Sequence, residues 1–341
     1  MKKILIIQTA FLGDLILTLP LVQIAKKHLP EYSFDIVVIP STSEILKNNP
    51  LVNNVLVYDK RRSGWGDMYR FSKQLKRNRY DVLISPHRSG RSAILNFLAS
   101  PKTNIGFDKS SMSFLYKQIV KYETGLHEIQ RNLRLLEPLG VHEVDIVRPE
   151  MFIGENEKSV VDSVMSELRL SEDEKFVTIA PGSVWFTKRF PESKFAKLCK
   201  SLSSVGIRTV LVGGEKDIET GMRIFKETNS EKVSDLTGKL TILQSAELIR
   251  RSSLLVTNDS APLHIGNAVE TPVFAVFGST ITGFGFYPYS KSDIVFETND
   301  LACRPCGIHG RTSCPIGTLE CMNRIDVTII AENIAELFRK A

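Results

Sequence analysis

The segment 258–264 follows an apolar run and is the part of the chain best suited to bind an anion. A strand that leads directly into a helix leaves the first N–H groups of that helix free for a ligand. Asp259 or Ser260 is expected to cap the helix, and Pro262 suits its first turn because the missing N–H would be unpaired there. His264 lies four residues after Ser260, on the same helical face. An ordinary capped helix would show the same pattern. The neighbouring loops must therefore distinguish an anion-binding site from an ordinary helix start.

A second loop follows the predicted strand at 176–180. Gly182 and Ser183 offer backbone and hydroxyl donors, and Lys188 adds a positive charge that could hold a diphosphate. Two neighbouring aromatic residues in this loop, Trp185 and Phe186, argue against a purely solvated surface segment. The loop therefore favours ligand binding.

A third loop carries paired glycines, Gly213 and Gly214, followed by acidic residues. Glycines permit close approach of the backbone to a ligand, and Glu215 or Asp217 could bind the hydroxyls of a ribose. This loop is weak evidence by itself. It gains weight because it follows a strand of the same predicted sheet.

Near the start of the chain, Gly13 and Asp14 stand between an apolar strand and an apolar helix. The Asp14 carboxylate either caps the helix or accepts a proton from an attacking hydroxyl as a general base. Neither G-x-G-x-x-G nor G-x-x-x-x-G-K-[ST] occurs, which argues against a dehydrogenase and a P-loop enzyme.

Short β-branched runs alternate with amphipathic stretches along both halves of the chain, which indicates parallel βαβ units. The pattern predicts strands at 4–7, 36–39, 55–58, 82–85, 176–180, 209–212, 233–235, 254–257 and 273–277. It predicts helices near 15–29, 43–48, 67–78, 192–204, 216–228, 241–251, 260–269 and 327–339.

The length of 341 residues favours two domains. A connection near 145–158 separates residues 1–155 from residues 156–341, and each half is expected to form a Rossmann-like, doubly wound α/β domain. The two domains would face each other across a cleft. The last helix is expected to pack back on the N-terminal domain.

The composition is that of a globular protein, with 43% hydrophobic and 24% charged residues. No apolar run approaches the length that a membrane span needs, and polar residues interrupt the apolar N-terminal stretch, which indicates a first strand in a cytoplasmic protein. The net charge of +6 suits an anionic substrate or a membrane surface, whereas nucleic acid is disfavoured because no nucleic-acid-binding motif occurs.

Taken together, the four loops resemble those of the bacterial heptosyltransferases of glycosyltransferase family 9, which have the two-domain GT-B fold. The resemblance covers essentially the whole chain. It rests on Phe11-Leu12-Gly13-Asp14, on Pro181-Gly182-Ser183 with Lys188 and Pro191-Glu192, on Gly213-Gly214-Glu215, and on Thr257-Asn258-Asp259-Ser260-Ala261-Pro262 with His264.

The resemblance implies transfer of a heptose from ADP-heptose to the inner core of lipopolysaccharide, with inversion at the anomeric carbon and no required metal. Asp14 would be the general base, and Lys188 with the N–H groups after Asp259 would stabilise the leaving ADP. Leu240 matches the position of the family that contacts adenine. The further donor-binding residues implied are Gly182, Ser183, Gly213, Gly214, Glu215, Asp217, Ser260, Ala261 and His264.

Arginines after the predicted strands of the N-terminal half would hold the phosphate and carboxylate groups of the acceptor. The candidates are Arg61 and Arg62, beside Lys60, and Arg88 and Arg91. Charge runs are also common on solvated faces. The implied partner is a lipid-linked acceptor, met by a monomer in peripheral contact with the inner face of the cytoplasmic membrane.

Four of the five cysteines fall within 303–321, as Cys303, Cys306, Cys314 and Cys321. The first pair has zinc spacing, but the second is wider than usual, so a structural zinc competes with reduced thiols or a labile disulfide. Type II members of the family carry a similar stretch, which implies a structural role.

Asp259-Ser260-Ala261 is similar to the type II branch, which favours transfer of the second heptose. Another nucleotide sugar stays open as the donor. So do two other classes of protein: a nucleotide-sugar epimerase or hydrolase, which would turn over the donor alone, and a non-catalytic binder of sugar nucleotides, which would form no product.

Overall fold

The structure, a computed structural model, describes residues 2–60, 62–143, 145–171 and 173–340. The chain divides into two compact units, the first ending at Phe152 and the second beginning at Ile153. No helix among the described residues is long and apolar enough to cross a membrane.

The first unit is built on a parallel six-stranded sheet in the order β3-β2-β1-β4-β5-β6. Its strands are β1 (Lys2–Ile7), β2 (Tyr32–Val38), β3 (Asn54–Val57), β4 (Val82–Ser85), β5 (Thr103–Phe107) and β6 (Gln118–Val120). Its helices are α1 (Leu12–Ile16), α2 (Leu19–His28), α3 (Trp65–Arg77), α4 (Gly90–Ala99) and α5 (Glu128–Arg134). The central strand β1 is fully buried from Ile4 to Ile7 and pairs Ile6 with Ile36 and Ile84.

The second unit repeats this plan with the order β12-β11-β10-β7-β8-β9. Its strands are β7 (Phe176–Ala180), β8 (Arg208–Leu211), β9 (Val233–Asp235), β10 (Leu254–Asn258), β11 (Val273–Phe277) and β12 (Ile294–Glu297). Its helices are α6 (Glu155–Glu167), α7 (Glu192–Ser204), α8 (Ile218–Thr228), α9 (Ile242–Arg251), α10 (Ala261–Ala268), α11 (Glu320–Asn323) and α12 (Val327–Lys340).

Several elements differ from the pattern. The helix expected at 15–29 is two helices, because Pro20 at the start of α2 cannot donate to the preceding turn. The segment 43–48 belongs to a 3₁₀ turn over Pro40–Leu46. The connection expected at 145–158 includes the first turn of α6. The apolar face of α12 is buried in the core of the second unit against α7, and the expected packing on the N-terminal domain stays a prediction.

Each sheet reverses its strand order beside its first strand, between β1 and β4 in the first unit and between β7 and β10 in the second. At such a point, neighbouring strands connect to opposite faces of the sheet, which leaves a crevice beyond their carboxyl ends where ligands bind in open α/β sheets. The loops after β1, β4, β7 and β10 lie at these two points, and the loop at 213–217 follows the neighbouring strand β8.

Candidate functional sites of the two units

The second unit brings three of the predicted loops to one edge of its sheet. They follow β7, β8 and β10, which are parallel, so their carboxyl ends lie side by side. Residues 181–188 and 258–260 flank the reversal point. Residues 213–217 follow β8, the next strand of the sheet.

Lys188 and Asp259 form an ion pair at the centre of this edge. The Lys188 Nζ atom lies 2.6 Å from Asp259 Oδ2, and the two side chains are 14% and 6% exposed. Thr280 donates a hydrogen bond to the same oxygen (2.5 Å). The pair fixes the ammonium beside the start of α10, and an ammonium has three donors, so it can bind an anion while it stays paired.

Ser260 occupies the N-cap position of α10, but among the described residues its hydroxyl is used elsewhere. It donates to the carbonyl of Gly182 (3.2 Å), which ties the loop after β10 to the loop after β7. Ser260 is thus the N-cap residue, as expected, but in the described part of the chain its side chain makes no hydrogen bond to the helix start. The side chains of Asp259 and Ser260 both hold neighbouring loops instead.

Asn258 is a positioning residue that the sequence placed in the motif without a role. Its buried amide donates to the carbonyl of Pro181 (2.8 Å) and accepts from the N–H of Phe190 (2.9 Å). These bonds clamp both ends of the loop that carries Lys188. An asparagine directly before the acidic residue was the signal in the sequence.

Asp217 explains why glycine is needed at two positions, Gly182 and Gly213. Its Oδ2 atom accepts from the N–H of Gly214 (3.0 Å), and burial raises the pKa of its carboxyl. A Cβ atom on Gly182 would lie 2.2 Å from Asp217 Oδ1, and one on Gly213 would lie 2.9 Å from Asp217 Oδ2. The loops after β7 and β8 thus meet over this carboxylate, while Glu215 is exposed to solvent.

The remaining donor candidates lie near the same edge. Ala261 is the first residue of α10, and His264 is buried one turn later. Leu240 is partly buried after β9, directly before the N-cap residue of α9. The structure therefore gathers the predicted donor residues around the carboxyl ends of β7, β8, β9 and β10.

In the first unit, Asp14 lies in the first turn of α1, directly beyond β1. Its Oδ2 atom accepts from the N–H of Phe11 (3.2 Å), so this carboxylate does stabilise the helix start. The side chain is partly exposed. The contact expected at the helix start is thus present, and the general-base role stays a prediction.

A cluster beside Asp14 was missed by the sequence analysis. Glu128 pairs with Arg131 Nε (2.8 Å) and accepts from the Tyr122 hydroxyl (3.0 Å), and it is close enough to Asp14 for the two charges to interact. The Arg88 guanidinium lies 4.0 Å from the centre of the Tyr122 ring. An acid and an arginine three residues apart, at a helix start after a strand, were the only signal.

His87 follows β4 and is held by three hydroxyls. Its Nδ1 atom lies 3.1 Å from the hydroxyls of Thr9 and Ser92 and 3.4 Å from that of Ser89. Burial, together with the charges of Lys60 and Arg88, lowers the pKa of His87 to about 3. The ring is therefore neutral at physiological pH and orients the Arg88 segment without adding charge.

The other predicted acceptor arginines lie further out. Arg91 donates to the carbonyl of Lys60 and places its guanidinium 5.9 Å from the Trp65 ring. The Arg62 side chain is 92% exposed and lies 3.9 Å from Asp59. Arg61 lies outside the described residues. Of the predicted set, Arg88 alone is drawn into the cluster beside Asp14 by a contact described here.

The four clustered cysteines line one cavity of about 260 Å³ in the second unit. Among the described residues, no group of three or more metal-binding side chains is arranged to hold an ion. The segment also supports the Lys188 turn: the N–H of Cys306 donates to the carbonyl of Ser279 (2.9 Å), and the hydroxyl of Ser279 accepts from Thr187 (2.9 Å). The cysteine-rich segment therefore supports the sheet edge at which the predicted donor-binding residues lie.

Comparison with known proteins gives a consistent result. The model of glycosyltransferase family 9 (heptosyltransferase) matches residues 68–313. Lipopolysaccharide heptosyltransferase 3 of Escherichia coli K12 is 27% identical over 86% of this chain and 87% of its own. Lipopolysaccharide heptosyltransferase 2 of Salmonella typhimurium is 26% identical over 83% and 84%.

Solved structures show the same fold. ADP-heptose LPS heptosyltransferase II of E. coli superposes with a TM-score of 0.82 at 23% identity, covering 100% of this chain and 99% of that one. E. coli heptosyltransferase WaaC, solved with ADP-2-deoxy-2-fluoro heptose, has a TM-score of 0.72 at 20% identity, covering 98% and 99%. The chain thus has the two-domain GT-B architecture.

Proposed function

Because this chain belongs to glycosyltransferase family 9, the heptosyltransferases, we propose that it transfers a heptose from ADP-heptose to the inner core of lipopolysaccharide, with inversion at the anomeric carbon. The acceptor is the core that already carries one heptose. The enzyme works as a monomer at the inner face of the cytoplasmic membrane, where its lipid-linked acceptor is made.

The observation that carries the proposal is the Lys188–Asp259 pair at the start of α10. An ADP group brings two phosphates, which need fixed donors more than they need a deep apolar pocket. The paired ammonium and the N-terminal end of α10 supply positive charge at one point. Gly182 and Gly213 let the loops after β7 and β8 close over Asp217, next to this pair.

The reaction follows from these roles. The acceptor hydroxyl gives its proton to the Asp14 carboxylate while its oxygen attacks the anomeric carbon on the face opposite the ADP group. The bond from that carbon to the phosphate oxygen breaks, and ADP leaves with the electron pair. Lys188 and the start of α10 stabilise the negative charge on the leaving phosphate, and the anomeric carbon is inverted.

Acceptor binding falls to the first unit. Arg88, oriented by Tyr122, offers a guanidinium near Asp14, and guanidinium suits the phosphates and carboxylates of the inner core. Glu128, which is paired with Arg131, holds the Tyr122 hydroxyl. The Tyr122 ring is therefore fixed in place before a ligand binds, and it supports Arg88.

Purified protein incubated with ADP-heptose and with lipid A–core acceptors carrying no heptose or one heptose tests this proposal. Mass spectrometry should show one added heptose on the one-heptose acceptor, and none with Asp14→Asn. Gain on the heptose-free acceptor instead would move the protein to transfer of the first heptose. Loss of donor without any acceptor product would indicate a hydrolase or epimerase, and gain only with other donors would reject ADP-heptose.

A further inference from the structure

One surface of the first unit exposes several large apolar side chains. Trp65 and Phe114 are 63% and 77% exposed, and Tyr69 and Met112 are each close to half exposed. Isolated apolar residues on a surface are ordinary, whereas a contiguous set indicates a binding surface. Contacts between the elements show that this set is contiguous.

The contacts join three segments. Trp65 begins α3, and its ring receives the Arg91 guanidinium from the first turn of α4, the helix that packs along α3. At the same turn of α4, a Cβ atom on Gly90 would lie 3.9 Å from the Met112 sulfur. Met112 leads into the 3₁₀ turn Ser113–Leu115, which carries Phe114. We call Trp65, Tyr69, Met112 and Phe114 the aromatic rim.

The segments that carry the rim are rich in basic residues. Segments 59–73 and 88–121 together hold eleven Lys and Arg against three Asp, and two of the eleven, Lys102 and Lys117, precede β5 and β6 at the opposite edge of the sheet. The other nine, with the three Asp, carry a net charge of +6, which equals that of the whole chain. Lys109 and Lys121 are exposed directly after β5 and β6. The segments that follow the strands on the rim side therefore carry a net positive charge as large as that of the whole chain.

The rim lies at the carboxyl edge of the first sheet. Trp65 follows β3, Arg91 follows β4, and Met112 with Phe114 follows β5, all parallel to β1. Asp14 follows β1 and lies at this same edge. A flat partner bound to the rim would therefore approach the edge that carries the proposed general base.

We propose that the aromatic rim and its lysines dock this protein on an anionic lipid bilayer, a step that rests on the proposed function because the acceptor there is lipid-linked. Exposed Trp, Tyr and Phe favour the headgroup region of a membrane, and each Lys near an anionic surface adds attraction. A soluble polyanion would use the lysines but would gain little from Phe114. The combination fits a bilayer.

The two tryptophans of the chain allow a direct test without substrate. Trp185→Phe leaves Trp65 as the only tryptophan, and Trp65→Phe leaves Trp185, in the second unit. With vesicles of phosphatidylglycerol and phosphatidylethanolamine, Trp65 emission should shift to shorter wavelength and resist an aqueous quencher. Trp185 emission should not shift. A shift of Trp185 alone, or of neither, would overturn the proposal.

Vesicle sedimentation gives the second measurement. Trp65→Ser/Phe114→Ser and Lys109→Glu/Lys121→Glu should each weaken binding to anionic vesicles about tenfold or more. The matched control is Met222→Ser/Phe225→Ser on α8, where two apolar side chains are about 40% exposed among charges of both signs. Equal losses in the control, or full binding by both rim variants, would contradict a docking role for the rim.

The outcome is separable from that of the proposed function. Trp65→Ser/Phe114→Ser should keep its rate on a deacylated, water-soluble core acceptor and lose rate on the same acceptor presented in vesicles. Loss on both would mean that the rim supports the fold or the site. If the wild-type protein bound vesicles but transferred nothing to the soluble acceptor, the proposed function would be wrong. The docking surface would still be supported.

Discussion

The ammonium of Lys188 lies 2.6 Å from the carboxylate of Asp259, although the two residues are 71 positions apart in the chain. Three hydrogen bonds keep the loops that carry them together: Asn258 to Pro181, Phe190 to Asn258, and Ser260 to Gly182. The pair is thus preorganised by the polypeptide alone. A phosphate ligand would meet a cation that is already fixed in place.

Lys188→Met should remove this cation and leave Asp259 buried with Thr280 as its described partner. Breaking a buried pair from one side is costly, so we expect a loss of about 3 kcal/mol in the free energy of unfolding. We also expect at least about a hundredfold loss in turnover, since charge on the leaving group is no longer stabilised. Urea unfolding and initial rates measure the two effects.

The double variant Lys188→Met/Asp259→Asn separates them. It removes the uncompensated carboxylate, so stability should return toward wild type while turnover and ADP affinity stay low. If turnover returned with stability, the lysine would matter only for folding.

Asp14→Asn should lower the transfer rate by about 10²–10⁴, the usual range for loss of a general base. An asparagine oxygen can still accept from the N–H of Phe11, so the start of α1 should survive. ADP affinity, measured by calorimetry, should not change because the residues that we propose to bind ADP belong to the second unit.

Asp67→Asn is the matched control, since Asp67 occupies the same position in α3 and accepts from the N–H of Gly64 (3.0 Å). It should keep full activity on a soluble acceptor. Comparable losses in the two variants would show that Asp14 acts by capping its helix.

The sequence predicted the fold well because alternating β-branched and amphipathic segments determine a parallel sheet almost by themselves. The family expected from the four loops is confirmed. Short strands such as Gln118–Val120 lack a clear pattern, and they were missed. The same holds for Thr103–Phe107, where Asn104 and Gly106 interrupt the apolar run.

The site was less predictable. The sequence named Asp259 and Ser260 as capping and donor-binding residues but not their side-chain partners, because cap preference is local information whereas Lys188 and Gly182 are distant in the chain. The Glu128–Tyr122 contact could not be predicted from the sequence for the same reason. Residue type and position after a strand identify a candidate, but the partner of a side chain depends on tertiary packing.

Gly182→Ala tests whether the loops after β7 and β8 must touch. The new Cβ atom would meet Asp217 Oδ1 at 2.2 Å, so the two loops must separate. We expect a loss of about 1–3 kcal/mol in the free energy of unfolding and weaker ADP binding. Gly214→Ala is the control, because its Cβ would meet nothing within 4 Å and its φ of −82° suits alanine.

Removing the obstacle should reverse the effect. Gly182→Ala/Asp217→Ala deletes the carboxylate that the new methyl group would strike, and thermal unfolding should recover toward that of Asp217→Ala alone. Equal destabilisation by Gly182→Ala and Gly214→Ala would show that the contact with Asp217 is unimportant.

His87 predicts a pH dependence of stability. Burial and the nearby positive charges lower the pKa of His87 from 6.5 to about 3. Below pH 6.5 the unfolded chain therefore binds a proton at this residue, whereas the folded chain does not. Stability from this group is complete above pH 6.5 and is lost as the pH falls toward 3. Between pH 7 and pH 5 the wild type should lose about 1–2 kcal/mol more than His87→Gln, measured by urea unfolding. A His87→Gln curve that runs parallel to the wild-type curve would refute the assignment.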